Sequence, residues 1–135
     1  MNAETILQAA HDSLAGTAPF PAIVERLVAA GVEYYHVDYV RMCTTFYGGD
    51  GDAVVSPITY EGMPRVAAEF NVVELRNAIR DSQQSGQKFR EFTRRAMSAG
   101  VQGYFAFLWG NRVTYWGRTG DQHTEWFPGT GPEPR

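Results

Sequence analysis

Two stretches decide how the chain is read: PFPAIVERLVAAGVEYYHVDYVRMCTTFYGGDGD at residues 19–52 and KFREFTRRAMSAGVQGYFAFLWGNRVTYWGRTGD at residues 88–121. Set one above the other, they need no gap at a fixed offset of 69 residues. Phe20, Arg26, Ala30, Gly31, Val32, Tyr35, Thr45, Gly48, Gly51 and Asp52 fall on Phe89, Arg95, Ala99, Gly100, Val101, Tyr104, Thr114, Gly117, Gly120 and Asp121. Ten identities in thirty-four positions, built on glycine and aromatic landmarks, mark an internal duplication. Asp12-Ser13 and Asp81-Ser82 keep the same offset, so the copied unit includes the helix before each stretch.

Working outward, each unit reads as two helices and three strands. Ile6, Leu7, Ala10 and Leu14 recur at helical spacing, as do Leu75, Ala78, Ile79 and Ser82. Asn71 stands three residues before Glu74 as a capping pair. The second helices carry inner stripes of Phe20, Ile23, Val24 and Leu27 in one copy, and Phe89, Phe92, Ala96 and Ala99 in the other. Gly31 and Gly100 follow them, where a left-handed residue is most easily supplied by glycine. Residues 33–40 and 102–109 are aromatic and β-branched with period two, and residues 44–47 and 112–116 are their hairpin partners. Glycine-rich turns at 48–52 and 117–121 lead to third strands at 53–59 and 122–127.

These elements predict an α+β fold, a two-layer sandwich in which a mainly antiparallel sheet carries helices on one face. Copy one spans about residues 3–59, the connection 60–71, copy two about 72–128, and residues 129–135 form a disordered tail. A unit of roughly 65 residues has a marginal core alone, so both copies belong to a single domain over residues 1–128.

The composition, 44% apolar and 20% charged over 135 residues, is that of an ordinary globular domain. No apolar run approaches the roughly 20 residues of a membrane span. The opening Met1-Asn2-Ala3-Glu4 lacks the basic and apolar regions of a secretory signal, so a cytoplasmic location is expected. Cys43 is the sole cysteine, which excludes an internal disulfide and a Cys-based zinc site within the chain. The net charge of −3 argues against a dedicated nucleic-acid binder. Residues 1–69 nevertheless carry nine acids and three bases, and residues 70–135 six acids and nine bases.

Phe89-x-x-Phe92, Ala99-Gly100-Val101, the aromatic strand that follows, Tyr115-Trp116-Gly117-x-x-Gly120 and the run His123 to Pro128 resemble the YdfO-like family. Ala78-Ile79-Arg80 with Gln83 or Gln84 is a further landmark of it. The resemblance spans nearly the whole chain. It implies a two-layer α+β sandwich in a small bacterial or prophage-encoded protein of unknown function, of a kind sometimes labelled "phage envelope protein". It supplies no catalytic residues.

Three constellations are therefore read from the residues themselves. His36 and Asp38 share one strand face, and His123 and Glu125 share another, where the other copy has Phe105 and Phe107 or Val54 and Ser56. Two imidazoles and two carboxylates are a ligand set for a divalent metal, or an acid-base cluster, if the pairs meet. Otherwise they are residues of a solvated sheet face, and no cofactor is expected. Phe105, Phe107 and Trp109 alternate on the face opposite Tyr104, Ala106 and Leu108, so both faces of that strand need cover and helices can supply only one. A second copy, the connection between copies or a ligand would supply the other. Arg90, Arg94 and Arg95 crowd one helix as an anion-binding candidate or a solvated face. The leading expectation is a non-catalytic binding or interaction protein that self-associates. The alternative is a small metal-assisted or acid-base enzyme.

Overall fold

The computed structural model of the chain describes residues 1–131. The elements run α1 (Ala3–Ala15), α2 (Phe20–Ala29), β1 (Val32–Asp38), β2 (Cys43–Gly48), β3 (Ala53–Pro57), α3 (Val72–Gln84), α4 (Phe89–Ser98), β4 (Val101–Phe107), β5 (Arg112–Gly117) and β6 (Gln122–Trp126). This is the expected ααβββ unit twice over, and the fold is α+β. The six strands form one antiparallel sheet in the order β3-β2-β1-β4-β5-β6, so the two meanders join through their first strands.

The duplication extends to individual hydrogen bonds. Asn2 and Asn71, 69 residues apart, each cap a first helix, accepting from the amides of Thr5 and Glu74 at 3.1 Å. Their own amides donate to the carbonyls of Ala30 and Ala99, which ties the start of each first helix to the end of the second. Arg26 reaches Asp12 at 2.8 Å and Arg95 reaches Asp81 at 2.7 Å, the same interhelical ion pair in each copy. Gly31 and Gly100 have φ of 95° and 91°, the left-handed region expected after each second helix. The β1–β2 and β4–β5 hairpins turn through Met42 and Asn111, again equivalent positions, at φ of 53° and 56°. β1 ends at Asp38, short of the expected Val40, because the Asp38 carboxylate accepts from the amides of Val40 and Arg41 and pulls the chain into the turn.

Alternation sorts the strands into two faces. Tyr35, Val37, Phe46, Tyr104, Ala106, Val113 and Tyr115 are buried beneath the helices. Ile6, Ala9, Ile23, Leu27, Leu75, Ala78, Phe92 and Ala96 pack down on them from the helix layer. The core is therefore shared between copies. Among the described residues no helix covers the opposite face. Residues 129–131 follow β6 in a turn, with the Thr130 amide donating to the Phe127 carbonyl and its hydroxyl reaching the Asn111 carbonyl. The rest of the expected disordered tail, residues 132–135, lies outside the described residues.

At the seam His36 of β1 pairs with Phe105 of β4. These are equivalent residues of the two copies, so the pseudo-twofold axis passes between them. Beside them Gly103 pairs with Asp38, and a Cβ on Gly103 would run into the Val37 carbonyl oxygen. Since that oxygen belongs to the neighbouring backbone, it cannot move aside without parting the strands. Gly103→Ala is expected to destabilise the fold by about 1–3 kcal/mol, the range of an overpacked core site, as measured by urea unfolding. A change under about 0.5 kcal/mol, the scatter of neutral surface substitutions, would show that the seam tolerates a methyl group.

Candidate functional site

The four polar candidates do not come together. His36 and Asp38 stand on the uncovered face of β1. His123 and Glu125 stand on the helix-side face of β6, because β5 pairs Tyr115 with His123 and Val113 with Glu125, and both β5 residues point into the core. The pairs thus occupy opposite faces of the sheet, one on a central strand and one on an edge. Asp38 is committed to capping its hairpin turn. Among the described residues no group of three or more His, Cys, Asp or Glu side chains is disposed to hold a metal ion.

Each pair has a local environment. The His36 ring stacks on Phe105 with centroids 4.4 Å apart. Burial against this neighbourhood lowers its pKa, and the nearby Asp38 charge opposes the shift. His123 Nε2 lies 2.7 Å from Glu125 Oε2, a hydrogen bond that orients the carboxylate.

The arginines are occupied. Arg95 is shared between Asp81 and the Gln87 side chain, both at 2.7 Å. Arg94 pairs with Glu91 on its own helix. Arg90 donates to the Glu61 carbonyl and lies 5.5 Å from the centre of the Tyr60 ring. Each guanidinium is engaged within the chain, and the three do not converge on one anion.

The uncovered sheet face is aromatic. Tyr47 stacks on Tyr34 at 4.7 Å, Tyr34 leans on Phe107 at 6.2 Å, and Phe107 stacks on Phe105 at 5.8 Å. With His36 the rings form a continuous band across β2, β1 and β4. Trp116 and Trp126 extend the face over β5 and β6, where the Arg112 guanidinium covers the Trp126 ring at 4.1 Å. Phe105 and Phe107 therefore lie where alternation predicts. Trp109 sits in the β4–β5 turn, 70% exposed, beside a shallow hollow of about 470 Å³ bordered by Tyr34, Phe107, Arg112 and Thr114.

A second feature escaped the sequence reading. A cleft of about 720 Å³ opens between the helix layer and the β4-β5-β6 end of the sheet. Tyr35, Tyr104, Tyr115 and Phe92 line its floor, and Glu125, Phe127, Phe20 and Lys88 border it. Burial pushes the Tyr35, Tyr104 and Tyr115 hydroxyls well above their ordinary pKa, so all three stay protonated at any physiological pH. The signal was present in the duplication: at the 69-residue offset, Leu14 becomes Gln83, Phe46 becomes Tyr115 and Tyr60 becomes Gly129. Only the packing shows that these positions surround one space.

The chain belongs to the family described as protein of unknown function, DUF1398, whose model matches residues 8–124 and so takes in both copies. No curated protein matches its sequence. No helix among the described residues is long and apolar enough to cross a membrane.

Two expectations follow from the polar contacts. The depressed pKa of His36 means the unfolded chain binds a proton more readily, so His36 withdraws stability as pH falls through about 6.5, the ordinary imidazole value. In His36→Phe, which places the copy-two residue on the axis, this part of the acid sensitivity is absent in urea melts between pH 7.5 and about 5.5. An unchanged pH slope would mean that the imidazole ionises freely in the fold. Arg95→Ala costs about 1 kcal/mol in the same assay, discounted because Asp81 is partly solvated, whereas Arg94→Ala stays within about 0.5 kcal/mol. Equal costs would count against the interhelical pair as a structural tie.

Proposed function

We propose that the protein is a non-catalytic binding domain that works through its uncovered sheet face, with a second copy of the chain as the partner on that face. One observation carries the reading. Across six strands, this face presents Tyr34, Tyr47, Phe105, Phe107, Trp116 and Trp126, together with Val55, and its charged strand residues are three, Glu33 at the β1 bulge, Asp38 and Arg112. An antiparallel sheet whose second face meets water normally alternates apolar and polar residues. Here the second face has aromatic enrichment and charge depletion, the composition of an interface centre. Two of these charges are already used locally, Asp38 in a turn and Arg112 on an indole.

The size of the face supports a second copy as occupant. Six strands about 4.8 Å apart and about 20 Å long give a flat footprint on the order of 500 Å², before side-chain relief is added. A standard interface buries about 800 Å² per partner. In a twofold dimer both copies would present this same patch, the isologous arrangement of most homodimers. The YdfO-like landmarks Phe89, Phe92 and Tyr115-Trp116-Gly117 support a bacterial or prophage setting for this role, in the cytoplasm.

Sedimentation equilibrium is expected to give twice the chain mass at micromolar concentration. Phe107→Lys and Trp109→Asp should each return it to the monomer without loss of helical circular dichroism. Trp109 lies in a turn and is mostly exposed, so its replacement leaves the core intact. A wild-type monomer at a hundred micromolar, or a dimer untouched by both changes, would overturn the reading.

A further inference from the structure

The two copies share one backbone plan, so each serves as a control for the other. In copy one, α1 packs against β3 and also against α4 of the other copy. The equivalent contacts of α3, with β6 and with α2, are at most marginal. The helix layer is closed over one end of the sheet and open over the other, and the 720 Å³ cleft is that opening.

The residues at equivalent positions explain the difference. In copy one Leu14, Ile58 and Tyr60 seal the space: Ile58 is 5% exposed, and the Tyr60 hydroxyl donates to the Leu14 carbonyl at 2.7 Å while its ring meets Phe89. In copy two the corresponding residues are Gln83, Phe127 and Gly129. Gln83 is exposed, Phe127 is drawn outward into an edge-on contact with Phe20 at 5.6 Å, and Gly129 has no side chain to supply. The three plugs of copy one are thus absent. On the cleft walls Ser56 is replaced by Glu125 and Phe46 by Tyr115, and beside them Val54 is replaced by His123. Removal of apolar plugs and addition of polar groups on one set of walls is the pattern of a ligand site, apolar with a few placed polar groups.

We propose that this cleft binds a small hydrophobic amine, its apolar body against Phe92, Tyr104 and Tyr115 and its protonated nitrogen on the Glu125 carboxylate. Charge complementarity selects the cation. Glu125 borders the cleft, its second oxygen is free, and among the described residues no lysine or arginine meets it. Among the described residues its one side-chain partner is His123, which holds Glu125 Oε2 from the strand. Lys88, the only basic residue on the cleft wall among the described residues, has its ammonium engaged by the Gly16 carbonyl at 2.7 Å. The aromatic walls add to the preference, since a cation desolvated beside tyrosine and phenylalanine rings is attracted by their faces. The volume falls within the roughly 300–1,000 Å³ of small-molecule sites.

The test uses three probes of one skeleton, 4-phenylbutylamine, 4-phenylbutanol and 4-phenylbutyrate, titrated into the full chain and followed by amide chemical shifts. The amine is expected to bind about tenfold more tightly than the alcohol, and the acid most weakly, with shifts centred on Tyr104, Tyr115 and Glu125. In Glu125→Gln the amine should fall to the affinity of the alcohol, while the alcohol is unchanged. Gln83→Leu combined with Gly129→Tyr rebuilds two plugs of copy one and should abolish binding of all three. Equal affinity for the three probes, preference for the acid, or an amine preference that survives Glu125→Gln would overturn the proposal. So would shifts that map to Phe105 and Phe107. Because the readout is site-specific, it stands or falls independently of the chain's mass in solution.

Discussion

The backbone ladder between β1 and β4 is the interaction on which the rest depends. A unit of two helices and a three-stranded meander has only a marginal core by itself. Joined through their first strands, the units bring Tyr35 and Val37 beside Ala106 and Tyr104 in the middle of one sheet, and the helices of both copies settle on that shared floor. The ladder runs over five residue pairs and is extended by the Tyr39 and Leu108 amides, which donate to the carbonyls of Gln102 and Glu33 across the axis. These two flanking bonds are themselves symmetry equivalents. The join repeats the geometry of one copy in the other, which is why a duplicated sequence could close on itself without new chemistry.

The asymmetry of the molecule arises from side chains on this symmetric frame. At the axis, identical neighbours would place His36 against a histidine or Phe105 against a phenylalanine; the mixed pair stacks instead as imidazole on phenyl. At Gly103 the equivalent residue is Tyr34. A second tyrosine there would collide with the backbone of β1, and the missing side chain is matched by Trp116, directly across from Gly103 on β5. Copy two therefore trades bulk between neighbouring strands, and the uncovered face stays filled from one end of the aromatic band to the other.

Much of this was legible from residues alone, for definite reasons. The constant offset exposed the duplication because the turns needed glycine at the same places in both copies, whereas the matching caps Asn2 and Asn71 emerged only with the structure. Period-two alternation separated Phe105 and Phe107 from Tyr104 and Ala106, and the structure keeps that separation. The fate of the polar pairs was not legible. Alternation says that His123 and Glu125 share a face, but which face depends on the register of β6 against β5, and a shift of one residue would reverse it. The arginines were ambiguous for a related reason: Arg95 looks solvated by its helical position, yet the packing of α3 on α4 delivers Asp81 and Gln87 to it.

The sheet separates two surfaces that place different demands on the fold. The helix-side face holds the fully buried residues, so stability is concentrated there, and the open cleft at its β6 end is a local departure from that packing. The uncovered face contributes aromatic rings that no helix protects, at positions where threonine would serve the strands as well. Rings left half in water return only part of the free energy they could gain by burial, about 25 cal/mol for each Å² still exposed. On strands already anchored from the other side, that residual area is not required for folding, and it is recovered when a second apolar surface is laid upon it. Cleft and band are thus complementary consequences of one arrangement: helices sufficient for one face, and for only part of that face, leave apolar surface both above the sheet's β6 end and across its entire back.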